Sequence, residues 1–539
     1  MIPDARSASG HVDTFARQHL PPREQWPELL FELPELRYPD RLNCAAELLD
    51  HANGARPALY GVRGTWTYAE LREKVDRIAH VLRGPLGLVP GNRVLLRGAN
   101  TPMMAAAILA VFKAGCIAVP TMPLLRAREL GTIMARAQVD AVLCAGDLCA
   151  ELDLLPDCPR TVRFGGDGTQ GLEALMAAQP AAFSPCDTAA DDVCLIGFTS
   201  GTTGVPKGTM HFHRDILAIC DCFPKHTLRA QPDDLFIGTP PLAFTFGLGG
   251  LLLFPLRIGA AGVLLEKLTP ETLLGAIERH RATVCFTAPT FYRQMATLAP
   301  RYDLSSLART VSAGEALPLA TRTAWQQATG LRMIDGIGAT EMLHIFISAA
   351  GDDIRPGATG KPVPGYRACI LDDAGRPAGP GTIGRLAVKG PTGCRYLADE
   401  RQKDYVIDGW NVTGDAYEMD ADGYFIYRSR VDDMIISAGY NIAGPEVEDA
   451  LLRHPAVAEC GVIGRPDVER GQIVEAHVVL RPGHEPSPAF TAQLQEFVKR
   501  EIAPYKYPRS IVYAQALPRT ETGKLQRFRL RTQAAKDGA

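Results

Sequence analysis

Residues 198–208 read FTSGTTGVPKG and lie between an apolar strand-like stretch, residues 193–198, and an apolar helical pattern around residues 216–219. The loop holds four glycines or prolines and four hydroxyl residues in eleven positions, together with Lys207. Glycines let backbone amides approach an anion closely, while hydroxyls donate further hydrogen bonds and the lysine supplies positive charge. The stretch therefore predicts a phosphate-binding loop. It is not a Walker A loop, because the sequence has no GxxxxGK[ST] pattern.

Upstream of this loop the chain alternates between strands and helices. Residues 93–99 and 116–120 are short apolar runs, and residues 103–112 form an apolar helical stretch between them. Two apolar strands joined by a helix predict a βαβ unit with a buried parallel sheet. Similar apolar runs recur at residues 282–289, 309–314 and 331–338. The pattern therefore predicts an α/β fold.

The texture of the sequence changes after about residue 430. Pro445 opens a short helical pattern, residues 472–480 alternate as a strand, and residues 490–502 carry apolar side chains at helical spacing. The segment of about 105 residues has a normal domain size. We therefore predict a small α+β domain at the C-terminal end.

Composition excludes several classes of protein. Of 539 residues, 46% are apolar and 22% are charged, and the formal net charge is −3. These values are typical of globular proteins and exclude a disordered or collagen-like chain. The nearly neutral charge provides no positive field to attract nucleic acid or an anionic membrane, so we expect neither as a partner.

The sequence shows no membrane-spanning segment and no signal peptide. Its longest apolar run, residues 103–112, stops at Lys113, whereas a bilayer span needs about 20 residues. The N-terminal residues lack the apolar core of a secretory signal. The thirteen cysteines contain no CxxC pair, which predicts buried free thiols rather than disulfides or metal ligands. We expect a soluble cytoplasmic protein, either a monomer or a homodimer.

Four further segments follow the phosphate-loop candidate in a fixed order. The five segments are FTSGTTGVPKG (198–208), DGIGATE (335–341), TGDAYEMDADGY (413–424), RSRVDDMIISAGYNI (428–442) and LPRTETGKLQR (517–527). Together they closely resemble the signature motifs of the adenylate-forming enzymes, which include acyl- and aryl-CoA ligases, luciferases and peptide-synthetase adenylation domains. The resemblance implies a large N-terminal domain of packed mixed sheets and helices, residues 1–430. It also implies a small mobile α+β C-terminal domain, residues 433–539, with a hinge near Asp432.

The resemblance also assigns a nucleotide site. ATP contacts are expected from the phosphate loop, from two later turns, and from a ribose-binding aspartate with its arginine. The expected residues are Thr199, Ser200, Gly201, Thr202, Thr203, Gly204, Lys207, Gly314, Glu315, Ala316, Asp335, Gly336, Ile337, Gly338, Thr340, Asp415, Arg430 and Lys524. Of these, Thr199 and Lys524 are expected to act in catalysis together with Glu341.

Three of these residues have a simpler interpretation when each is considered alone. Glu341 follows an apolar strand and a glycine turn, so it could bind Mg²⁺ beside a phosphate or merely stabilise a helix start. Asp415 could form an ordinary Asx turn, and Lys524 could be a solvated lysine. The resemblance favours the metal, ribose and catalytic roles respectively, with ATP, Mg²⁺ and coenzyme A as the implied ligands.

A glycine-rich aromatic segment, PPLAFTFGLGG at residues 240–250, predicts part of the substrate pocket, because glycines flank it and no long helical period is present. Phe244 stands where many family members have histidine. The segments EMLHIF (341–346) and GPTGCRYL (390–397) resemble benzoate-type CoA ligases, and residues 11–29 resemble 2-aminobenzoate–CoA ligases. The expected pocket residues are Phe244, Phe246, Gly247, Ala313, Gly314, Ile337, Gly338 and His344. His344 could equally be a satisfied core histidine or a group near the substrate carboxylate.

The expected reaction has two steps. A carboxylate attacks the α-phosphorus of ATP, so Mg²⁺ on Glu341, the loop hydroxyls and Lys524 must neutralise developing negative charge. Pyrophosphate leaves an acyl-adenylate, and a thiol then displaces AMP. By resemblance, the C-terminal domain rotates about Asp432 between the steps, which exchanges Lys524 for a CoA-contacting loop that includes Gly439 and Tyr440.

The residues favour a small planar aromatic acid as substrate, with 2-aminobenzoate as first choice. Phe244 and Phe246 leave little room for an alkyl chain, and residues 242–250 contain no acidic side chain to hold an α-ammonium group. Only 15 residues follow Lys524, so free coenzyme A is expected as acceptor. A medium-chain fatty acyl-CoA ligase, an aryl adenylation enzyme that loads a separate carrier protein, and a non-enzymatic nucleotide-binding regulator are alternatives.

The assigned hinge leads to the first prediction. Proline fixes φ near −65° and restricts the preceding residue, so we expect Asp432→Pro to retain adenylate formation and lose thioester formation. The two half-reactions are measured separately, as pyrophosphate release and as CoA consumption with supplied acyl-adenylate. Thioester formation at the wild-type rate would place the pivot elsewhere.

Overall fold

A computed structural model describes residues 8–166, 171–199, 206–372, 374–437, 440–467, 470–502, 504–519 and 524–537. Its α-helices lie on the faces of four sheets. In chain order they are α1 (Phe15–Gln18), α2 (Cys44–Leu49), α3 (Tyr68–Arg83), α4 (Pro102–Lys113), α5 (Ala127–Ala137), α6 (Gly171–Ala177), α7 (His213–Cys222), α8 (Thr245–Leu248), α9 (Phe254–Arg257), α10 (Pro270–His280), α11 (Pro289–Leu298), α12 (Leu319–Thr329), α13 (Gln402–Tyr405), α14 (Gly444–Leu452), α15 (Pro488–Glu501) and α16 (Arg527–Asp537).

The strands are short and mostly buried. In chain order they are β1 (Pro57–Gly61), β2 (Gly64–Thr67), β3 (Arg93–Arg97), β4 (Ile117–Thr121), β5 (Ala141–Ala145), β6 (Arg160–Phe164), β7 (Val193–Thr199), β8 (Lys207–Phe212), β9 (Leu235–Gly238), β10 (Ala261–Val263), β11 (Val284–Thr287), β12 (Arg309–Ala313), β13 (Ile334–Gly338), β14 (Ile345–Ser348), β15 (Lys361–Pro362), β16 (Arg367–Leu371), β17 (Ile383–Lys389), β18 (Val406–Ile407), β19 (Trp410–Met419), β20 (Phe425–Arg430), β21 (Ile435–Ser437), β22 (Tyr440–Ile442), β23 (Val457–Asp467), β24 (Gly471–Leu480) and β25 (Ser510–Tyr513).

Three sheets build the large N-terminal part. One has the order β6-β5-β3-β4-β7-β8, a second runs β15-β14-β13-β12-β11-β9-β10-β1-β2, and a third runs β16-β17-β19-β18 with β20 paired to β19. The small C-terminal part holds the fourth sheet, β22-β21-β24-β23, with β25 paired to β24. The predicted α/β fold with a large and a small part is confirmed.

Local sequence signals account for the first βαβ unit. Thr67 and Glu70 form a capping box at the start of α3, with the Thr67 amide 2.7 Å from the Glu70 carboxylate. Strands β3 and β4, which precede and follow the buried helix α4 along the chain, pair in parallel, as the apolar runs predict. Because these signals act between residues close in sequence, they could be interpreted without knowledge of the fold.

The helix predicted around residues 216–219 is present as α7, but the sequence analysis missed a strand between the phosphate-loop candidate and this helix. The chain forms an additional strand, β8, which pairs antiparallel with β7 and places Thr199 opposite Lys207; helix α7 begins only at His213. Residues 395–397 run along the other edge of β8, where the Leu397 amide donates to the Gly208 carbonyl at 2.8 Å. β8 is thus buried between two partners, which local periodicity could not reveal.

The aromatic segment at residues 240–250 also differs from the prediction, because it enters a helix. Helices α8 and α9 are joined by a π-helical turn, Gly249–Leu253. Pro255 has no amide to donate and its ring clashes with the carbonyl four residues earlier, so a regular α-helix cannot continue through this point. π-Turns of this kind occur frequently at functional sites.

The part of the chain that the structure describes has no helix that combines the length and the apolar character needed to cross a bilayer. The thirteen cysteines are free, and ten of them are buried.

Candidate active site

Glu341 lies in a buried 3₁₀ turn, Thr340–Met342, between the antiparallel strands β13 and β14. The turn ends at Leu343, a buried residue with φ of 69°. Left-handed backbone at a non-glycine residue costs on the order of 1–3 kcal/mol and persists only where the surrounding structure imposes it. The position of the Glu341 carboxylate is therefore determined by the fold.

Lys207 and Tyr396 meet Glu341 in a hydrogen-bonded contact, which we call the Lys207–Tyr396–Glu341 triad. The Lys207 ammonium donates to the Tyr396 hydroxyl at 2.8 Å, and that hydroxyl donates to Glu341 Oε1 at 2.5 Å. Lys207 Nζ lies 3.7 Å from the same carboxylate oxygen. Burial and the Glu341 charge raise the pKa of Tyr396 far above its usual range, so the phenol stays protonated.

Tyr396 was missed as a functional residue by the sequence analysis. It lies in the predicted GPTGCRYL segment, but its approach to Lys207 depends on pairing between residues 395–397 and β8, nearly 190 positions apart. The family resemblance of that segment was the only sequence signal. No local spacing identifies such a partner.

A second group of buried side chains, connected by a hydrogen bond and an ion pair, supports the Thr340–Met342 turn. The His211 ring donates from Nε2 to the Thr340 carbonyl at 2.8 Å, and its Nδ1 lies 3.8 Å from the Asp215 carboxylate. Arg395 forms a fully buried ion pair with Asp215. Burial alone would raise the pKa of Asp215, but Arg395 and His211 lower it below its ordinary value. The network therefore keeps a charged carboxylate beneath the turn.

Two predicted nucleotide-binding turns lie side by side. Ala313 and Gly336 are register partners near the carboxyl ends of the parallel strands β12 and β13. Gly314 has φ of 88°, and a Cβ there would meet no other atom within 4 Å, so the space beside it is open. Glu315 accepts a hydrogen bond from the Thr290 hydroxyl at 2.7 Å, and among the described residues its Oε1 has no partner. Open space beside the carboxyl ends of parallel strands is a common ligand position.

Asp335 lies on β13 and is partly buried. Burial raises its pKa to about 7, although Arg322, the Gly336 amide and Thr359 oppose the shift. A carboxyl group that is half-protonated near neutral pH can donate as well as accept a hydrogen bond.

The predicted ribose pair is formed. Asp415 and Arg430 face each other across β19 and β20, with Nη1 and Oδ1 3.0 Å apart. A Cβ at Gly414 would collide with the Arg430 guanidinium, so a side chain there would displace the arginine from its present position beside Asp415. The Asp415 amide also donates to Thr413 Oγ1 at 3.2 Å.

His344 is enclosed by aromatic rings. Its ring centroid lies 4.4 Å from that of Phe254, 5.7 Å from Phe246 and 6.0 Å from Phe223. Burial lowers the pKa of His344 to about 3, although a contact with Phe246 opposes the shift, so the imidazole is neutral at physiological pH. Its Nε2 lies 3.3 Å from the Phe246 carbonyl, to which it donates.

Glycines allow the close packing around this ring. A Cβ at Gly249 would collide with the His344 ring, one at Gly338 would lie 2.8 Å from the His344 backbone, and one at Gly247 would collide with the Pro241 carbonyl. The structure thus brings together Phe246, Gly338 and His344. Ile337 is partly buried at the same strand end. Phe244 instead precedes α8, and within the described ranges its ring makes no aromatic contact with His344.

Lys524 reaches this site from the C-terminal part of the chain. Lys524 is exposed to solvent, although other protein atoms lie close around its ammonium. Loss of hydration there lowers the pKa of Lys524 below its usual value, against the opposing attraction of Asp415, Glu315 and Glu341. The Lys524 ammonium is therefore within electrostatic range of three carboxylates of the candidate nucleotide site.

Some predicted residues cannot be located. Ser200, Gly201, Thr202, Thr203, Gly204 and Gly439 lie outside the described residues, as do the side chains of Asp432 and Tyr440. Thr199 ends β7, and its buried hydroxyl has no partner in the described part of the chain. Ala316 follows Glu315 in an exposed turn.

Comparison with known proteins agrees with this arrangement. Residues 49–396 match the AMP-binding enzyme model, and residues 446–524 match the AMP-binding enzyme C-terminal domain. The benzoate–CoA ligase of Thauera aromatica is 34% identical over 513 residues, which cover 93% of this chain and 97% of that protein.

Solved structures are similar over nearly the whole chain. The anthranilate CoA ligase AuaEII, in complex with anthranoyl-AMP, has a TM-score of 0.88 at 34% identity and covers 93% of this chain and 99% of its own. The benzoate CoA ligase from Burkholderia xenovorans LB400 has a TM-score of 0.83 at 32% identity, covering 91% and 100% respectively.

Fold, site and comparisons define an adenylate-forming acid–thiol ligase. The chain belongs to the AMP-binding enzyme family, whose members include the acyl-CoA ligases and synthetases. The predicted superfamily, its resemblance to benzoate-type and 2-aminobenzoate–CoA ligases, and the predicted enzyme class are confirmed.

The triad leads to a prediction for Tyr396. Removing its hydroxyl leaves the buried Glu341 oxygen without a donor, and loss of a group that orients a ligand typically costs about 10–100-fold in metal affinity or activity. We expect Tyr396→Phe to slow adenylation by that factor and to raise the Mg²⁺ concentration needed for half-maximal pyrophosphate release. Tyr405→Phe is the matched control, because the buried Tyr405 hydroxyl has no partner among the described residues and its ring makes an edge-to-face contact with that of Tyr396. Equal behaviour of the two variants would remove the triad from the mechanism.

The position of Lys524 leads to a second prediction. We expect Lys524→Ala to lower the adenylation rate by about 10²–10³ or more, while CoA attack on supplied acyl-adenylate stays largely intact. Because a lowered pKa means that the ammonium loses its proton at a lower pH than a free lysine, wild-type adenylation should decline on an alkaline limb below pH 10.5. Lys524→Arg, which stays charged, should be slower but lack that limb. An equal fall in both half-reactions of Lys524→Ala would contradict the assignment.

Proposed function

We propose that the protein is an aryl carboxylate–CoA ligase that acts on benzoate-like acids, with 2-aminobenzoate as first choice. The observation that carries the proposal is that aromatic rings enclose His344, which is neutral. Glycines let His344 pack closely against the end of β13, the strand that precedes Glu341. A flat apolar slot suits a planar ring. The named substrates of the similar benzoate–CoA and anthranilate CoA ligases support the same class.

In the proposed reaction a carboxylate oxygen forms a bond to the α-phosphorus of ATP, and the bond to the pyrophosphate oxygen breaks. The products are acyl-adenylate and pyrophosphate. The sulfur of coenzyme A then attacks the acyl carbon, its proton is released, and AMP leaves with the electrons of the broken ester bond.

Each candidate residue has a proposed task. Lys207, Thr199 and the glycine-rich loop would hold the phosphates, Asp415 with Arg430 the ribose, and the turns at residues 314–316 and 335–338 the base. Lys524 would place its charge at the reacting phosphate during the first step only. The C-terminal domain, residues 433–539, would then turn about Asp432 relative to residues 1–430 and bring Gly439 and Tyr440 to coenzyme A.

Magnesium fits the donor set that the site offers. The buried Glu341 carboxylate and the Thr199 hydroxyl, which has no partner among the described residues, offer the hard oxygen ligands that Mg²⁺ prefers. When bound with ATP, the ion would neutralise phosphate charge. Lys207 and Tyr396 would orient the carboxylate that holds it.

His344 suggests how an ortho-amino group is favoured. Its Nε2 donates to the Phe246 carbonyl, so in the neutral ring Nδ1 is an acceptor, and that atom is buried without a partner in the described residues. A buried acceptor gains from a donor in the ligand. An aryl amine is uncharged and needs no acidic partner, unlike the ammonium of an α-amino acid.

A substrate panel tests this proposal. We expect kcat/KM with ATP and CoA to be highest for 2-aminobenzoate, followed by 2-hydroxybenzoate and benzoate, and lower for hexanoate and octanoate. His344→Phe should abolish the preference for 2-aminobenzoate over benzoate while benzoate still reacts. If octanoate exceeds every aromatic acid by about tenfold, a difference of about 1.4 kcal/mol in transition-state binding, the enzyme is a medium-chain ligase instead.

A further inference from the structure

A three-residue ion-pair bridge joins the large and small parts of the molecule. Arg293 lies on α11 of the large part, and its guanidinium donates to the Ala458 carbonyl at 3.2 Å and lies 3.5 Å from Glu459 Oε1. The other oxygen of Glu459, Oε2, accepts from Arg519 at 2.8 Å. Glu459 belongs to β23 of the small part, so its carboxylate receives one cation from each side of the interface.

The bridge leads directly to the segment that carries Lys524. Arg519 pairs with Leu525 in an isolated antiparallel β-bridge, and the Gln526 amide donates to the Pro518 carbonyl at 2.8 Å. Lys524 is therefore the residue immediately before a backbone contact of Arg519. Because Arg519 contacts Glu459 and Glu459 contacts Arg293, the start of that segment is connected to α11.

We propose that Glu459 is a positioning residue that couples Arg293 of the large part to Arg519 and thereby holds Lys524 at the nucleotide site for adenylate formation. The inference rests on the proposed two-step function. Arg293 and Glu459 lie on opposite sides of the assigned hinge, so rotation of the small part separates them. The bridge therefore acts in the first step and must break before the second.

The strength of the bridge suits a reversible contact. All three side chains keep between a quarter and a third of their surface exposed, and ion pairs at such positions contribute modestly because water screens them. A stronger, fully buried pair would hold the enzyme in one orientation. Asp449 provides a separate contact to the large part, through the Leu319 amide, so loss of the bridge weakens the orientation without abolishing it.

Two single variants and their combination test the proposal. Arg293→Ala and Glu459→Gln should each lower the pyrophosphate-release rate by about fivefold, the effect of losing a partly exposed ion pair. KM for the acid should stay at its wild-type value. The rate of CoA attack on supplied acyl-adenylate should stay at the wild-type value or rise. The double variant should be no slower than the worse single variant, because both remove the same contact.

Glu501→Gln is the matched control. It breaks the Arg453–Glu501 pair, which spans 3.0 Å at comparable exposure but lies wholly within the small part. We expect it to leave both half-reactions unchanged. A merely structural role of Glu459 would lower both half-reactions together, which would overturn the proposal, as would additive effects in the double variant.

Hydrogen exchange provides a readout that does not depend on turnover. In Arg293→Ala, amides of residues 457–467 across the interface should exchange faster, while Glu501→Gln should not alter residues 289–298. Unchanged exchange at residues 457–467 overturns the bridge even if the enzyme is active. If wild-type protein releases no pyrophosphate with any acid in the panel, the proposed function is refuted. If the expected exchange difference is still observed, the contact between Arg293 and Glu459 is nevertheless established.

Discussion

Lys207, Tyr396 and Glu341 meet in one buried contact, and the rest of the candidate site is arranged around it. The partly buried Lys207 ammonium and the buried Glu341 carboxylate each lose hydration that must be replaced. The Tyr396 hydroxyl replaces part of it for both, because it accepts from Lys207 and donates to Glu341. The contact joins the phosphate-loop candidate, the turn after β13 and residues 395–397 beside β8. In the proposed function, these three segments, which are distant in sequence, must fold correctly before a nucleotide can be held. The strained backbone of Leu343 and the His211 hydrogen bond to Thr340 fix the same turn independently.

The proposed substrate side of the site depends on packing rather than charge. His344 is neutral and enclosed by phenylalanines, and glycines at 249 and 338 permit ring and backbone to approach more closely than any side chain would allow. The π-turn between α8 and α9 arises where Pro255 prevents a regular helix. Packing made in this way is rigid and apolar, so in the proposed function it would distinguish acids mainly by shape.

Elements fixed by local chemistry could be predicted from the sequence, whereas elements fixed by distant partners could not. The Thr67 capping box, the β3–α4–β4 unit and the Asp415–Arg430 pair depend on nearby residues or on a motif. Strand β8 was missed because its burial comes from β7 and residues 395–397 together. Tyr396 and the bridge through Glu459 depend on pairs between 55 and 189 positions apart, for which a single sequence has no signal.

Charge also links the chemistry to the orientation of the small part. Lys524 loses hydration in its cleft, and the attraction of Asp415, Glu315 and Glu341 only partly offsets that loss. In the proposed two-step reaction ATP would add several negative charges beside the same ammonium, so nucleotide binding would favour the orientation in which Lys524 is inserted. Departure of pyrophosphate removes most of that negative charge and leaves the costs of desolvation in place. The electrostatic preference for the inserted orientation therefore weakens when the first step is complete, and a bridge of modest strength then suffices to hold the small part until it turns.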